Sequence, residues 1–219
     1  MSDSPTADIQ AIAERIRGEL ALKHQAREAA YPLTRQVVRN SANAIRAVHR
    51  GEFESAQHLL ATASGMLSEI TIAIADHPEL RYTGYVETAE KEFTEASITL
   101  ALVSGTPVPG PESLGVVNSA YLNGLAEAAS EMRREVLDHL RRGLVGRSEE
   151  ILTSMDDIYD VLVTIDFPDA LTGNLRRTTD MVRGVLERTR GDLTMTIAQS
   201  RLEEKLSRVE KKLGGESSG

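Results

Sequence analysis

Between two long stretches of helical pattern the chain carries Ser104-Gly105-Thr106-Pro107-Val108-Pro109-Gly110-Pro111, which restricts the available folds more than any other segment. Proline removes a backbone donor and glycine loosens the chain, so one helix must end here and the next folds back antiparallel to it. The first arm contains Glu92-Phe93-Thr94-Glu95-Ala96, and the second contains the run from Tyr121-Leu122-Asn123-Gly124 through Glu127 to Ser130-Glu131-Met132. Each arm therefore brings a pair of acids to the same hairpin.

On helices, the i,i+3 spacing of Glu92 and Glu95 and the i,i+4 spacing of Glu127 and Glu131 put each pair on one face, with Cβ atoms about 5–6 Å apart. If the two faces meet, four carboxylates converge into an oxygen-rich site suited to Mg²⁺ or Mn²⁺. A second reading stays open. Glutamate is a strong helix former and the chain holds 33 acids, so such pairs also arise on solvated faces. Ala120, Gly124 and Ala128 form a small-residue row beside the second pair. A helical glycine costs about 1 kcal/mol relative to alanine, which points to a packing reason for Gly124.

The remaining pattern is helical throughout, with about six to seven helices expected and an all-α fold of long antiparallel elements. Residues 8–49 read as a helix kinked or briefly interrupted at Tyr31-Pro32, and 52–75 as a second. The third spans 79–103 with a loosened start near Thr83-Gly84, and a fourth spans 112–142. A fifth runs from Glu149 to about 165, capped by Ser148. The last runs from about 168 to 213, with Gly173, Gly184 and Gly191 as weak points. Its end spaces Leu202, Leu206, Val209 and Leu213 as a short coiled-coil-like seam, to be docked in its own subunit or against another. No strand and no repeat of fixed period stands out.

At 219 residues one domain is the default, here residues 7–213 between flexible tails at 1–6 and 214–219. Cysteine is absent, which excludes disulfides, thiolate metal sites and cysteine nucleophiles. The N-terminal residues lack the basic and apolar regions of a signal peptide, and no run of about 18 apolar residues occurs, so a cytoplasmic location without membrane contact is expected. A formal net charge of −8 argues against a generally basic surface that coats nucleic acid, so any such binding needs a local patch.

One patch is visible. On the first helix Arg35, Arg39, Arg46, His49 and Arg50 share a face, while Leu33, Val37, Val38, Ala44, Ile45 and Val48 form its apolar arc. The arginines suit phosphate binding along a single strand, or equally a solvated or interfacial face paired with acids. Aromatic residues make up only 4% of the chain, so base stacking has little material. None of the five histidines has a glutamate three residues before it, so the Glu-x-x-His signature of di-iron bundles is missing. Walker, Rossmann and nucleophile-elbow motifs are also missing.

The helical order, the Arg39-Asn40-Ser41 to His49-Arg50 segment and the Tyr121-Leu122-Asn123-Gly124 run leading into Ser130-Glu131-Met132 resemble the translin superfamily over roughly residues 27–190, especially its archaeal members. In that superfamily translin binds nucleic acid, and translin-associated factor X supplies the acids of a metal-dependent endoribonuclease. The latter's Glu-aromatic-x-Glu-Ala motif looks like Glu92-Phe93-Thr94-Glu95-Ala96. Its later Asp and Glu, four apart after a Tyr-Leu-x-Gly run, look like Glu127 and Glu131, with Glu127 where the aspartate is expected. The resemblance implies a translin-like helical bundle in a closed homo-oligomer, an octamer, with single-stranded RNA or DNA bound inside. It further implies Glu92, Glu95, Glu127 and Glu131 as catalytic and metal-holding residues for Mg²⁺ or Mn²⁺, or one of them as general base. A non-catalytic binding oligomer of the same family is the alternative.

Overall fold

The computed structural model describes residues 5–215, apart from the side chains of residues 5, 7 and 212–215. Six long helices and two single turns follow in order: α1 (Pro5–His49), α2 (Phe53–Ala73), α3 (Gly84–Ser104), α4 (Pro111–Leu114), α5 (Asn118–Arg141), α6 (Val145–Val163), α7 (Asp169–Thr172) and α8 (Leu175–Gly215). A 3-10 turn at Pro78–Tyr82 precedes α3. No strand occurs among the described residues. The expected tails lie partly outside the described residues; residues 5–6 and 214–215 belong to α1 and α8.

By contact the chain forms two units, residues 1–124 and 125–219, with the division inside α5. In the first, α1, α2 and α3 pack around Val37, Ala44, Val48, Ala56, Leu67, Ile70, Val86 and Phe93, all buried. Alanines at 47, 63, 89 and 96, also buried, keep the helix axes close. The second unit is cored by Met132, Val136, Met155, Leu162, Leu175 and Val182. There Arg190 on α8 grips Asp156 on α6 with contacts of 2.6 and 2.8 Å, and Arg133 on α5 donates to Asp192 on α8 at 2.7 Å.

Three expectations about boundaries need correction. Of the kink or brief interruption expected at Tyr31-Pro32, the interruption does not occur, and α1 stays helical through Pro32. Proline there removes the donor to the Glu28 carbonyl, and both residues are exposed, so water can satisfy that oxygen and the helix continues. The helix expected over 112–142 is two, because Gly115 adopts φ 69° and ends α4 with its amide donating to the Glu112 carbonyl. Ser148 is not a cap. It lies buried inside α6, and its hydroxyl donates to the carbonyls of Val136 and Leu144 at 3.3 and 3.2 Å, fastening α6 to α5.

Of the glycines expected to weaken the last segment, only Gly173 breaks it. Gly173 and Asn174 take left-handed φ of 59° and 65° between α7 and α8, while α8 runs unbroken through Gly184 and Gly191. On α8, Leu202, Leu206 and Val209 are 56%, 54% and 52% exposed, so this stripe docks on no part of its own described chain. The side chain of Leu213 lies outside the described residues.

Candidate metal centre and basic groove

The connection from α3 to α5 is locked before any acid is placed. Glu90, 3% exposed, accepts the Val117 amide at 3.1 Å and the Arg81 guanidinium at 2.8 Å, and Arg81 also donates to the Gly115 carbonyl at 2.7 Å. Burial raises the Glu90 carboxyl above its ordinary value, against the opposing pull of the Val117 amide and Arg81. The Tyr121 hydroxyl donates to the Pro109 carbonyl at 3.0 Å, tying the proline-rich run to α5.

Next along α5, Gly124 sets the distance to α3. A Cβ there would lie 2.7 Å from the Lys91 carbonyl oxygen and 2.7 Å from the Thr94 Cβ, so only glycine permits this approach. Lys91 and Thr94 alternate with Glu92 and Glu95 along α3, and Glu127 lies one turn beyond Gly124 on the same unbroken helix. Accordingly Glu92, Glu95 and Glu127, all half-buried, each offer a carboxylate oxygen within 4.8 Å of the others.

With metal–oxygen distances of about 2.1 to 2.4 Å, oxygens on one octahedral cation lie roughly 3.0 to 4.8 Å apart. The three oxygens, all within 4.8 Å of one another, do not exceed the upper limit of that range. The donor set is hard and anionic and fits a divalent cation. Lys91 Nζ stands 3.3 Å from Glu92 and supplies part of the neutralising charge. Glu131 lies outside the group of three; it is half-buried and lines an open groove on α5 with Arg133, Arg134, Asp138 and Arg141.

The basic face of α1 separates into two parts. Arg35 and Arg39 are exposed and line a groove of about 390 Å³ with Tyr31, Thr34, Val38, Tyr85 and Thr88. Arg46 is engaged by Asn43 at 2.7 Å, and Arg50 is held by both oxygens of Glu52 at 2.8 and 2.6 Å. His49 is half-buried. Sequence reasoning missed the aromatic wall of this groove. Tyr31 and Tyr85 meet edge to face at 5.5 Å, and the Arg27 guanidinium lies 4.9 Å from the Tyr31 ring and 5.7 Å from the Tyr85 ring. The available signal was the four-residue ladder Arg27, Tyr31, Arg35, Arg39 along α1.

Fold and site together define an all-helical protein with a carboxylate cluster able to hold a cation and a basic groove beside an aromatic pair. No family model matches the chain. An uncharacterized protein of Methanocaldococcus jannaschii is 31% identical over 193 residues, spanning 87% of this chain and 85% of that protein. The crystal structure of AfC3PO and the structure of AfC3PO with duplex RNA each share 31% identity and a TM-score of 0.78, covering 85% of this chain and 97% of theirs. Apo-NeC3PO, at 18% identity and TM-score 0.72, covers 90% of this chain and all of its own, a likeness of fold. The chain belongs to the translin superfamily.

Proposed function

We propose that this protein is an RNA-binding, metal-dependent endoribonuclease that acts on single-stranded stretches as a homo-oligomer. The observation that carries the reading is the carboxylate group of Glu92, Glu95 and Glu127, with oxygens within 4.8 Å of one another. Mg²⁺ or Mn²⁺ held there would acidify a bound water and offset charge on the phosphodiester. Glu92, Glu95 and Glu127 would hold the cation, and Glu131, one turn beyond Glu127 on α5, is the candidate general base for the attacking water. Arg35 and Arg39 hold the phosphate backbone, joined by Arg46, His49 and Arg50 further along α1. The AfC3PO–RNA complex supports the choice of RNA. The exposed Leu202, Leu206 and Val209 stripe supports self-association.

Purified protein is incubated with single-stranded and duplex RNA in Mn²⁺, in Mg²⁺ and in EDTA, beside Glu92→Gln and Glu127→Gln. Cleavage by the wild type in either metal, lost in EDTA and in both variants, is expected. Equal cleavage by wild type and Glu127→Gln removes the carboxylate mechanism. The second reading, binding without cleavage, is favoured by the Lys91–Glu92 ion pair at 3.3 Å, which already neutralises one ligand. Salt-sensitive binding with no turnover in either metal would establish it.

A further inference from the structure

The groove beside the carboxylates has more chemistry than phosphate binding requires. Tyr85, Thr88, Glu92 and Glu95 recur at spacings of three, four and three residues, so one stripe of α3 carries both the groove wall and two of the acids. At 1.5 Å per residue, Tyr85 lies about 10 Å along the helix from Glu92, roughly three stacked nucleotides. The short links after α1 and after α2 reverse the chain twice, so α1 runs parallel to α3, with Tyr31 beside Tyr85. A step of seven residues from these two tyrosines reaches Val38 on α1 and Glu92 on α3. Arg35 and Arg39 thus flank the path from the aromatic pair to the acids.

Tyr31 is 37% exposed, and the Arg27 guanidinium over both rings stiffens the pair. The Tyr85 hydroxyl is buried with no hydrogen-bond partner among the described residues. A space of about 390 Å³ is at the small end of ligand sites and matches one nucleotide, not a folded peptide. Neither Arg35 nor Arg39 forms an ion pair among the described residues, in contrast to Arg50.

We infer that this groove is a nucleotide subsite in which one unpaired base stacks on the exposed Tyr31 ring, braced by the edge-to-face contact with Tyr85, while Arg35 and Arg39 hold its flanking phosphates. The inference rests on the RNA-binding reading and adds the residues that position the strand before it reaches the carboxylates. Stacking on an aromatic face tolerates any base, so the subsite selects for unpaired RNA without selecting sequence. Tyr31 and Tyr85 are positioning residues that stand apart from the reacting atoms.

The test measures binding of a fluorescent single-stranded RNA to the full chain in EDTA across a salt series, for wild type, Tyr31→Ala, Tyr31→Phe and the double variant Arg35→Gln/Arg39→Gln. Tyr31→Ala is expected to weaken binding about tenfold with the salt slope unchanged, while Tyr31→Phe retains affinity. The double arginine variant is expected to reduce the magnitude of the salt slope by about 1.4, or about 0.7 for each phosphate no longer held. Wild-type binding with Tyr31→Ala within twofold of it overturns the subsite and leaves RNA binding standing. Absence of binding by the wild type overturns the parent reading and this one with it. Circular dichroism of each variant confirms that helix content is retained, and Tyr31→Phe separates loss of the ring from loss of the hydroxyl.

Discussion

Replacing Gly124 by alanine tests the step on which the carboxylate group depends. The added Cβ would sit 2.7 Å from a backbone oxygen and a side-chain carbon of α3, at least 0.7 Å inside the 3.4 Å limit of ordinary contact. The nearest atom is backbone, so relief must come from separating α5 and α3. Overpacking of this kind costs about 1–3 kcal/mol. Alanine recovers about 1 kcal/mol of helix propensity, leaving a net loss of about 0–2 kcal/mol. At this chain length each kcal/mol moves Tm by about 2–4 °C, so a fall of up to about 8 °C is expected. A displacement near 1 Å at Glu127 would also weaken any Mn²⁺-dependent rise in Tm and lower cleavage by about 100-fold. Gly65→Ala supplies the control, because nothing lies within 4 Å of a Cβ at that helical position and stabilisation of about 0.5–1 kcal/mol is expected. Thermal melts of both variants with and without Mn²⁺ decide the matter. If Gly124→Ala stabilises as Gly65→Ala does and keeps its Mn²⁺ response, the close approach is not what holds the acids together.

Three further outcomes follow from the geometry. Burial raises the Glu90 carboxyl, so the folded chain holds that proton more tightly than the unfolded chain. The stability of wild type relative to Glu90→Gln should be greatest below about pH 4.5 and decline as pH rises through the raised folded value. Denaturant titrations between about pH 4 and 7 check this, and a wild-type advantage growing with pH would reverse the sign. Leu202→Glu/Leu206→Glu alters two exposed positions and should leave monomer helicity intact while shifting light-scattering mass downward; unchanged mass would exclude the stripe from assembly. A divalent cation at 100 times its dissociation constant should add about 2.7 kcal/mol of stability, a rise of about 5–10 °C that Glu92→Gln abolishes; a similar rise in the variant would locate the binding elsewhere.

The sequence made the long helices legible because alanine, leucine and glutamate dominate them and the apolar residues recur at helical spacing. The reason for Gly124 was also readable, since a glycine inside a strong helix pattern needs a compensating contact. The breaks were harder to read. Gly115 and Gly173 end helices by taking positive φ, whereas Gly184 and Gly191 sit unremarked inside α8, and composition does not separate the two behaviours. Ser148 looked like a cap because serine commonly caps, yet its partner carbonyl at Val136 is set by packing against α5. The aromatic groove was missed for a similar reason. Low aromatic content says nothing about whether two tyrosines 54 residues apart meet, and only the pairing of α1 with α3 brings them together.

The same helix decides both what is buried and what faces outward, and the two patterns are coupled. Val86, Ala89, Phe93 and Ala96 are buried, and each follows directly after a member of the outer stripe: Tyr85, Thr88, Glu92 and Glu95. Two stripes with the same three-four-three spacing, offset by one residue, lie about 100° apart around the helix. Burial of the first therefore fixes the direction of the second. Glu90 adds an axial stop by holding Val117 and Arg81, so α3 can neither rotate nor slide without exposing a charge now paired. Three constraints thus aim the acids before any cation arrives: a core stripe, a buried ion pair and one glycine contact. None of the three uses the acids themselves. Exchanging a carboxylate for its amide should therefore change metal response and cleavage while leaving the α3 packing intact, which is why Glu92→Gln and Glu127→Gln report on chemistry and Gly124→Ala reports on architecture.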